Sequence, residues 1–209
     1  MAIKGLSKLV IAPAYQYDSA ANKVTYGPAA VTEKMAEYKA DISFTEDDGL
    51  YLDNSLAEKA PGKFSSGSLT VTTGELTNET SKMILDIKEI TQTVDSKSVK
   101  GLAFDKNTKG NTTGIGLIEE HQFNNEDFYR AVILTKVAWD VPSDAATTRQ
   151  DKISWQTKEI GGTIMESDEK ATSETETDKL WKATFDLPTE AEALATILAY
   201  FADHERADA

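Results

Sequence analysis

The sequence predicts a mainly β fold, an antiparallel β-sandwich or partly closed barrel with one short helix and a C-terminal amphipathic helix packed on its outside. Three observations predict it. Tyr129, Ala131, Ile133, Val137, Trp139 and Val141 share one parity, interrupted only by Thr135, while the other parity mixes Arg130, Lys136 and Asp140 with Val132, Leu134 and Ala138. A period of two built from β-branched and aromatic residues is a strand pattern. Second, Glu37, Lys39, Asp41, Ser43 and Thr45 alternate with Tyr38, Ala40, Ile42 and Phe44, a strand wet on one side and apolar on the other. Third, Thr189 and Glu192 form a capping box ahead of Leu194, Ile197, Leu198 and Phe201 at helical spacing, which predicts a helix over 189–204.

In chain order, Leu9 to Tyr15 reads as a first strand, with Pro13 marking an edge or a bulge. Asp18 to Asn22 turns the chain, and Lys23 to Tyr26 leaves the turn. After the wet strand, 45–61 is charged and aperiodic yet holds Leu50, Tyr51, Leu52 and Leu56. A loop of that length is either functional or disordered. Its apolar residues fit contact with another subunit or a fold back onto their own sheet. Lys63 to Thr72 is the next strand, with Leu69 and Val71 opposite Ser66, Ser68, Thr70 and Thr72. Thr77 caps a short helix bearing Glu79, Met83, Ile84 and Ile87.

Val94 to Gly114 reads as irregular, anchored by Leu102 and Phe104, and a strand starts at Gly116 before a turn at Phe123–Asp127. Pro142 stops the long strand. A polar loop leads to Lys152–Lys158, where Ile153 and Trp155 share a face, so the two strands make an antiparallel hairpin. The acidic run 166–178 reads as a solvated loop. Leu180, Trp181, Ala183 and Phe185 form the last strand.

A chain of 209 residues suits one domain spanning 1–209. A net charge of −13 and a pI near 4.6 oppose a nucleic-acid grip and an anionic membrane surface alike. The chain holds no cysteine, which removes disulfides and thiolate chemistry and suits a reducing cytoplasm. The first residues are too short an apolar run for a signal peptide, and no segment is long enough for a membrane helix.

Catalytic chemistry finds few parts. His121 and His204 are the two histidines; one follows two glutamates, and the other suits the end of a helix. Asp105 opens a calcium-loop-like run, but Lys109 and Gly116 stand where that loop needs ligands. Gly114-Ile115-Gly116 lacks the third glycine of a dinucleotide fingerprint. The pair Asp47 and Asp48 is what chance gives in an acidic chain. No catalytic, cofactor or metal residue is expected.

Tyr129-Arg130-Ala131-Val132, Thr135-Lys136-Val137, a proline-ended loop with Thr148, Ile153-Ser154-Trp155-Gln156-Thr157 and Ile160-Gly161 together resemble the second half of phage major tail proteins. These are the tube subunits of long, flexible, non-contractile tails. Asp47-Asp48-Gly49-Leu50-Tyr51-Leu52-Asp53-Asn54, then Lys63-Phe64 and Gly67-Ser68-Leu69-Thr70-Val71, are similar to that family's long loop and following strand. The resemblance runs from about Gly5 to about Phe185. It implies a structural virion protein, made in the host cytoplasm, whose partners are itself, other tail proteins and double-stranded DNA that passes without specific binding. Six subunits close a ring, and rings stack into a tube. The resemblance makes Leu50, Tyr51, Leu52, Asp53 and Leu56 the inter-subunit loop; in such a tube the acidic wet face of Glu37, Asp41, Ser43 and Thr45, with Ser66, Ser68, Thr70 and Thr72 beside it, is the candidate lumen, the alternative being a face that meets outside solvent. A tail terminator or a secretion-system tube would share this architecture. A monomeric carbohydrate-binding β-sandwich is the alternative from another class; it would show aromatic platforms, whereas Trp139, Trp155 and Trp181 sit on apolar strand faces.

Overall fold

The computed structural model describes residues 2–45, 49–52, 55–59, 62–144, 156–173 and 177–206. The chain opens with β1 (Ala2–Ala12), a small hairpin of β2 (Gln16–Asp18) and β3 (Lys23–Thr25), and the short β4 (Ala30–Val31). β5 (Met35–Phe44) leads through β6 (Gly49–Leu52) and β7 (Ser55–Lys59) to β8 (Phe64–Thr73). Helix α1 (Asn78–Ile84) precedes a hairpin of β9 (Lys88–Val94) and β10 (Lys97–Ala103). The long β11 (Thr112–Phe123) and β12 (Glu126–Trp139) follow, then β13 (Lys158–Met165), β14 (Lys182–Leu187) and helix α2 (Glu190–Ala202).

The main antiparallel sheet runs β4-β1-β11-β12-β13-β8-β5, with β14 also on β12. It curls until β1 packs against β5, a partly closed barrel. The inner face buries Leu9, Ile11, Leu69, Val71, Ile115, Leu134, Val137, Trp139, Ile160 and Ile164, with Ile84 of α1 among them. The outer face of β1, β11 and β12 is covered by α2, where Ala193, Ile197 and Phe201 meet Val10, Ile118, Ala131 and Ile133.

Thr135 is where β12 changes partners. Below it, Tyr129 to Leu134 pair with β14; above it, Lys136 to Trp139 pair with β13. On the other edge Ile115 pairs with Leu134 and Thr113 with Val137, so Gly114 faces both Thr135 and Lys136. This β-bulge flips the parity of the strand. Ala131 and Ile133 therefore face α2 while Val137 and Trp139 face the interior, correcting the single apolar face expected from Tyr129 to Val141. Both faces are buried from Ala131 to Thr135. Val141 lies beyond the strand and is exposed.

Several other expectations are corrected. The hairpin partner of β12 is Lys158–Met165; Ile153 and Trp155 lie outside the described residues. The aperiodic stretch 45–61 contains the β6–β7 hairpin, and Asp53 lies outside the described residues. The stretch from Val94 contains β10, which pairs with β9, and Phe104 is exposed rather than an anchor. β11 begins at Thr112, four residues before the expected start. Phe44 is exposed at the end of β5.

The helices keep their expected starts. The Thr77 hydroxyl accepts the Thr80 N–H, and the buried Glu33 carboxylate accepts both the Thr77 N–H (2.9 Å) and the Thr80 hydroxyl (2.7 Å). The Thr189 hydroxyl accepts the Glu192 N–H. The stripe of α2 that is buried is Ala193, Ile197 and Phe201, with Leu194 and Leu198 half-buried at its margins.

Candidate functional site

The outer face of β5, β8 and β13 is left bare by α2. Register places its side chains in rows: Glu37, Thr72 and Glu159; then Lys39, Thr70 and Gly161; then Asp41, Ser68 and Thr163; then Ser43 and Ser66. The opposite parity, Tyr38, Ala40 and Ile42 with Leu69, Val71, Ile160 and Ile164, packs in the interior, which fixes which way each row points. Glu37, Lys39, Asp41, Ser43, Ser68, Glu159 and Thr163 are exposed. Small hydroxyls and carboxylates make up most of the surface, with Lys39 paired to Asp41 at 2.6 Å. The attraction of Asp41 first by hydrogen bond and then by charge raises the Lys39 ammonium above its ordinary range.

The predicted residues Glu37, Asp41 and Ser43 are thus brought together with Ser66, Ser68, Thr70 and Thr72 on one plane. Thr45 stands at its end, where its hydroxyl accepts the Lys63 N–H at 3.0 Å. Glu159 and Thr163 complete the plane and were not anticipated. Their signal was legible, since Glu159, Gly161 and Thr163 alternate with Ile160, Gly162 and Ile164. The side chains of Leu50, Tyr51, Leu52 and Leu56 lie outside the described residues; their backbone forms the β6–β7 hairpin, which hangs from the same two strands.

The acidic run follows β13 and meets Lys136 of β12, Tyr15 and Val24. Its first residues are docked rather than solvated: Asp168 accepts from Lys136 Nζ (2.6 Å) and the Tyr15 hydroxyl (2.9 Å), Ser167 is buried, and Glu169 accepts the Val24 N–H, whereas Lys170, Thr172, Ser173, Thr177 and Asp178 are exposed as expected. Residues 174–176 of that run lie outside the described residues. Partial burial alone would raise the Asp168 carboxyl, but the Lys136 and Tyr15 hydrogen bonds outweigh it and hold it below the usual carboxylate range.

Away from this plane, His121 is buried against Glu119 (3.0 Å) and stacked on Phe128, with Nδ1 unpartnered. His204 Nδ1 lies 2.8 Å from the Tyr200 carbonyl at the end of α2. Asp105 bonds its own turn through the Asn107 N–H. Among the described residues, no cluster of three or more acidic or histidine side chains could hold a metal ion. Gly114 and Gly116 serve packing: a Cβ on Gly116 would stand 2.3 Å from Ile197, and one on Gly114 would stand 2.5 Å from Phe201. Trp139 is buried with its indole N–H on Thr113, and Trp181 stacks on Phe64 at 4.5 Å. A sheet face of this kind can repel or slide past a polyanion, and its hydroxyls can be wetted without gripping.

No protein-family model matches the chain, and a search of curated proteins returns no match.

Proposed function

We propose that this chain is a structural subunit that polymerises into a tube, as the resemblance to phage major tail proteins implies, with rings of six copies stacked head to tail. The bare Ser/Thr/Asp/Glu plane of β5, β8 and β13 lines the channel, and double-stranded DNA passes along it. The observation that carries this role is the plane itself. One half of the outer sheet surface is sealed by α2, whereas the other half presents hydroxyls and carboxylates with no aromatic platform among its described residues. Carboxylates facing phosphates repel rather than hold, which suits a conduit. Two further features support assembly. β5 ends the hydrogen-bonding order of the sheet; β1 packs against it without pairing, so among the described residues its outer edge keeps backbone groups for a strand from a neighbour. The β6–β7 hairpin leaves from the paired ends of β5 and β8 and, as the resemblance implies, bridges to the next subunit.

Purified protein should sediment as rings or longer polymers at high concentration, and negative-stain electron microscopy should show tubes of one diameter. A chain that stays monomeric across concentration and salt, and binds oligosaccharide instead, would overturn the proposal in favour of a binding module.

A further inference from the structure

The β9–β10 hairpin stands off the body of the molecule. Every residue from Lys88 to Lys100 is exposed. Paired residues share a face, so Ile90, Val94 and Val99 lie together on one side of the hairpin, each about half exposed. A two-stranded ribbon alone in water is marginal and gains stability only by covering such a face. Its turn adds to the cost, since Asp95 (φ 49°) and Ser96 (φ 64°) both occupy the left-handed region without being glycine.

The opposite end of the molecule carries a matching surface. Ile3 pairs with His121, and Phe123 lies two residues further along the same face; Ile3 is 61% exposed and Phe123 53%. The charges are complementary. Residues 88–109 hold five lysines and three carboxylates, in a chain of net −13, whereas residues 119–127 hold four carboxylates, of which Glu120 and Asp127 pair with Lys4, Glu119 is buried against His121, and Glu126 is left exposed to meet a lysine of the arm. The hairpin cannot reach that surface on its own subunit. It enters the sheet at Thr112, the start of β11, and Phe123 ends β11, a separation of roughly 35 Å at 3.2–3.4 Å per residue. An arm of seven-residue strands spans only about 23 Å and leaves from the far end.

We infer that the β9–β10 hairpin is a docking arm whose Ile90, Val94 and Val99 face seats on the end surface around Ile3 and Phe123 of a second copy of this chain. The contact joins unlike surfaces, so it propagates copies head to tail. Lys97, beside Val94 on the arm, faces the acidic rim that includes Glu126. The inference deepens the tube proposal and takes its partner from that reading, but the contact itself is testable without tubes.

Because the chain has no cysteine, single cysteines report contacts cleanly. Val99→Cys and Phe123→Cys proteins, mixed and oxidised, should give a mixed disulfide dimer well above either protein alone. Ile90→Ser with Val99→Ser should weaken self-association roughly tenfold or more, with an unchanged circular dichroism spectrum. Lys97→Glu should weaken it as well, and Glu126→Lys on the other copy should restore it. Arm-to-arm disulfides in place of the mixed pair, or full association by the serine variant, would overturn the inference. Mixed disulfides from protein that forms no tubes would keep the arm and reject the tube; normal tubes from the serine variant would reject the arm and keep the tube.

Discussion

The Tyr26 hydroxyl donates to the backbone carbonyl of Thr135, 109 residues away, at 2.8 Å. Thr135 is the bulged residue at which β12 passes from β14 to β13, and its N–H and hydroxyl reach the carbonyls of Trp181 and Leu180. Tyr26 itself is buried edge-on to Phe201 at 5.1 Å, so the bond ties α2 to the point where the two faces of the strand exchange. Burial pushes its phenol far above the ordinary tyrosine range, so it remains a donor throughout the accessible pH range.

Tyr26→Phe removes the donor and leaves a buried carbonyl unsatisfied, at a cost of about 1–3 kcal/mol. For a chain of this length each kcal/mol lowers the melting temperature by roughly 2–4 °C. A melting temperature within a degree of wild type would mean that water or a rearranged neighbour satisfies Thr135.

The seat of α2 gives a second prediction. Ile197→Ala should cost about 2–5 kcal/mol, because Ile197 is fully buried over Gly116. Leu198→Ala should cost less, since Leu198 is half-buried. Gly116→Ala overpacks the same point and should cost about 1–3 kcal/mol. The double variant Gly116→Ala with Ile197→Ala, which removes the Ile197 Cγ2 that the new methyl would meet, should lose less than the sum of its parts, measured by urea unfolding.

Acid should unfold the protein through Glu33 and Asp168. Burial alone would raise the Glu33 carboxyl, but the Thr77 and Thr80 hydrogen bonds prevail and lower it below its ordinary value; Asp168 is also lowered. A carboxylate whose folded value is depressed contributes stability that is complete above its unfolded value, about 3.9–4.3, and is lost as pH falls toward the folded one. Unfolding free energy should therefore hold steady from neutral pH to about pH 5 and drop below about pH 4. Glu33→Gln should be less stable at neutral pH and show a shallower acid drop; an identical acid profile would remove Glu33 from this role.

Much of this was legible in the sequence where one side chain face meets water and the other meets the core. β5 and β8 alternate cleanly for that reason, and the N-cap threonines of both helices are local signals. The bulge at Thr135 was not legible as such. Thr135 appeared only as an interruption of an apolar face, because parity cannot show that the face changes sides. The β9–β10 hairpin was missed since Ile90, Val94 and Val99 are apolar yet unburied within the chain. The docking of Asp168 and Glu169 at the start of the acidic run was missed because their partners, Tyr15, Lys136 and Val24, come from distant positions. Gly114 and Gly116 were weighed against a nucleotide motif, when their small size admits a helix.

Charge reversal probes the plane. Glu37→Lys with Asp41→Lys turns a phosphate-repelling surface into a binding one, and Lys39 loses its partner to reinforce the change. The variant should still assemble and should retain DNA at low salt, with retention lost as salt rises through counterion release. DNA delivery by reconstituted particles is the readout. Unchanged delivery from normally assembled particles would place the plane outside the channel.

The most direct measurement is the reactivity of Ser68→Cys, whose side chain stands near the middle of the plane in a chain without other cysteines. In the monomer it should react with a small maleimide and with a bulky polyethylene-glycol maleimide alike. In assembled protein the small reagent should still enter and react, and the bulky one should be excluded. Equal reaction with both reagents in the assembled protein, or failure of the protein to assemble at all, would contradict a channel lined by this face.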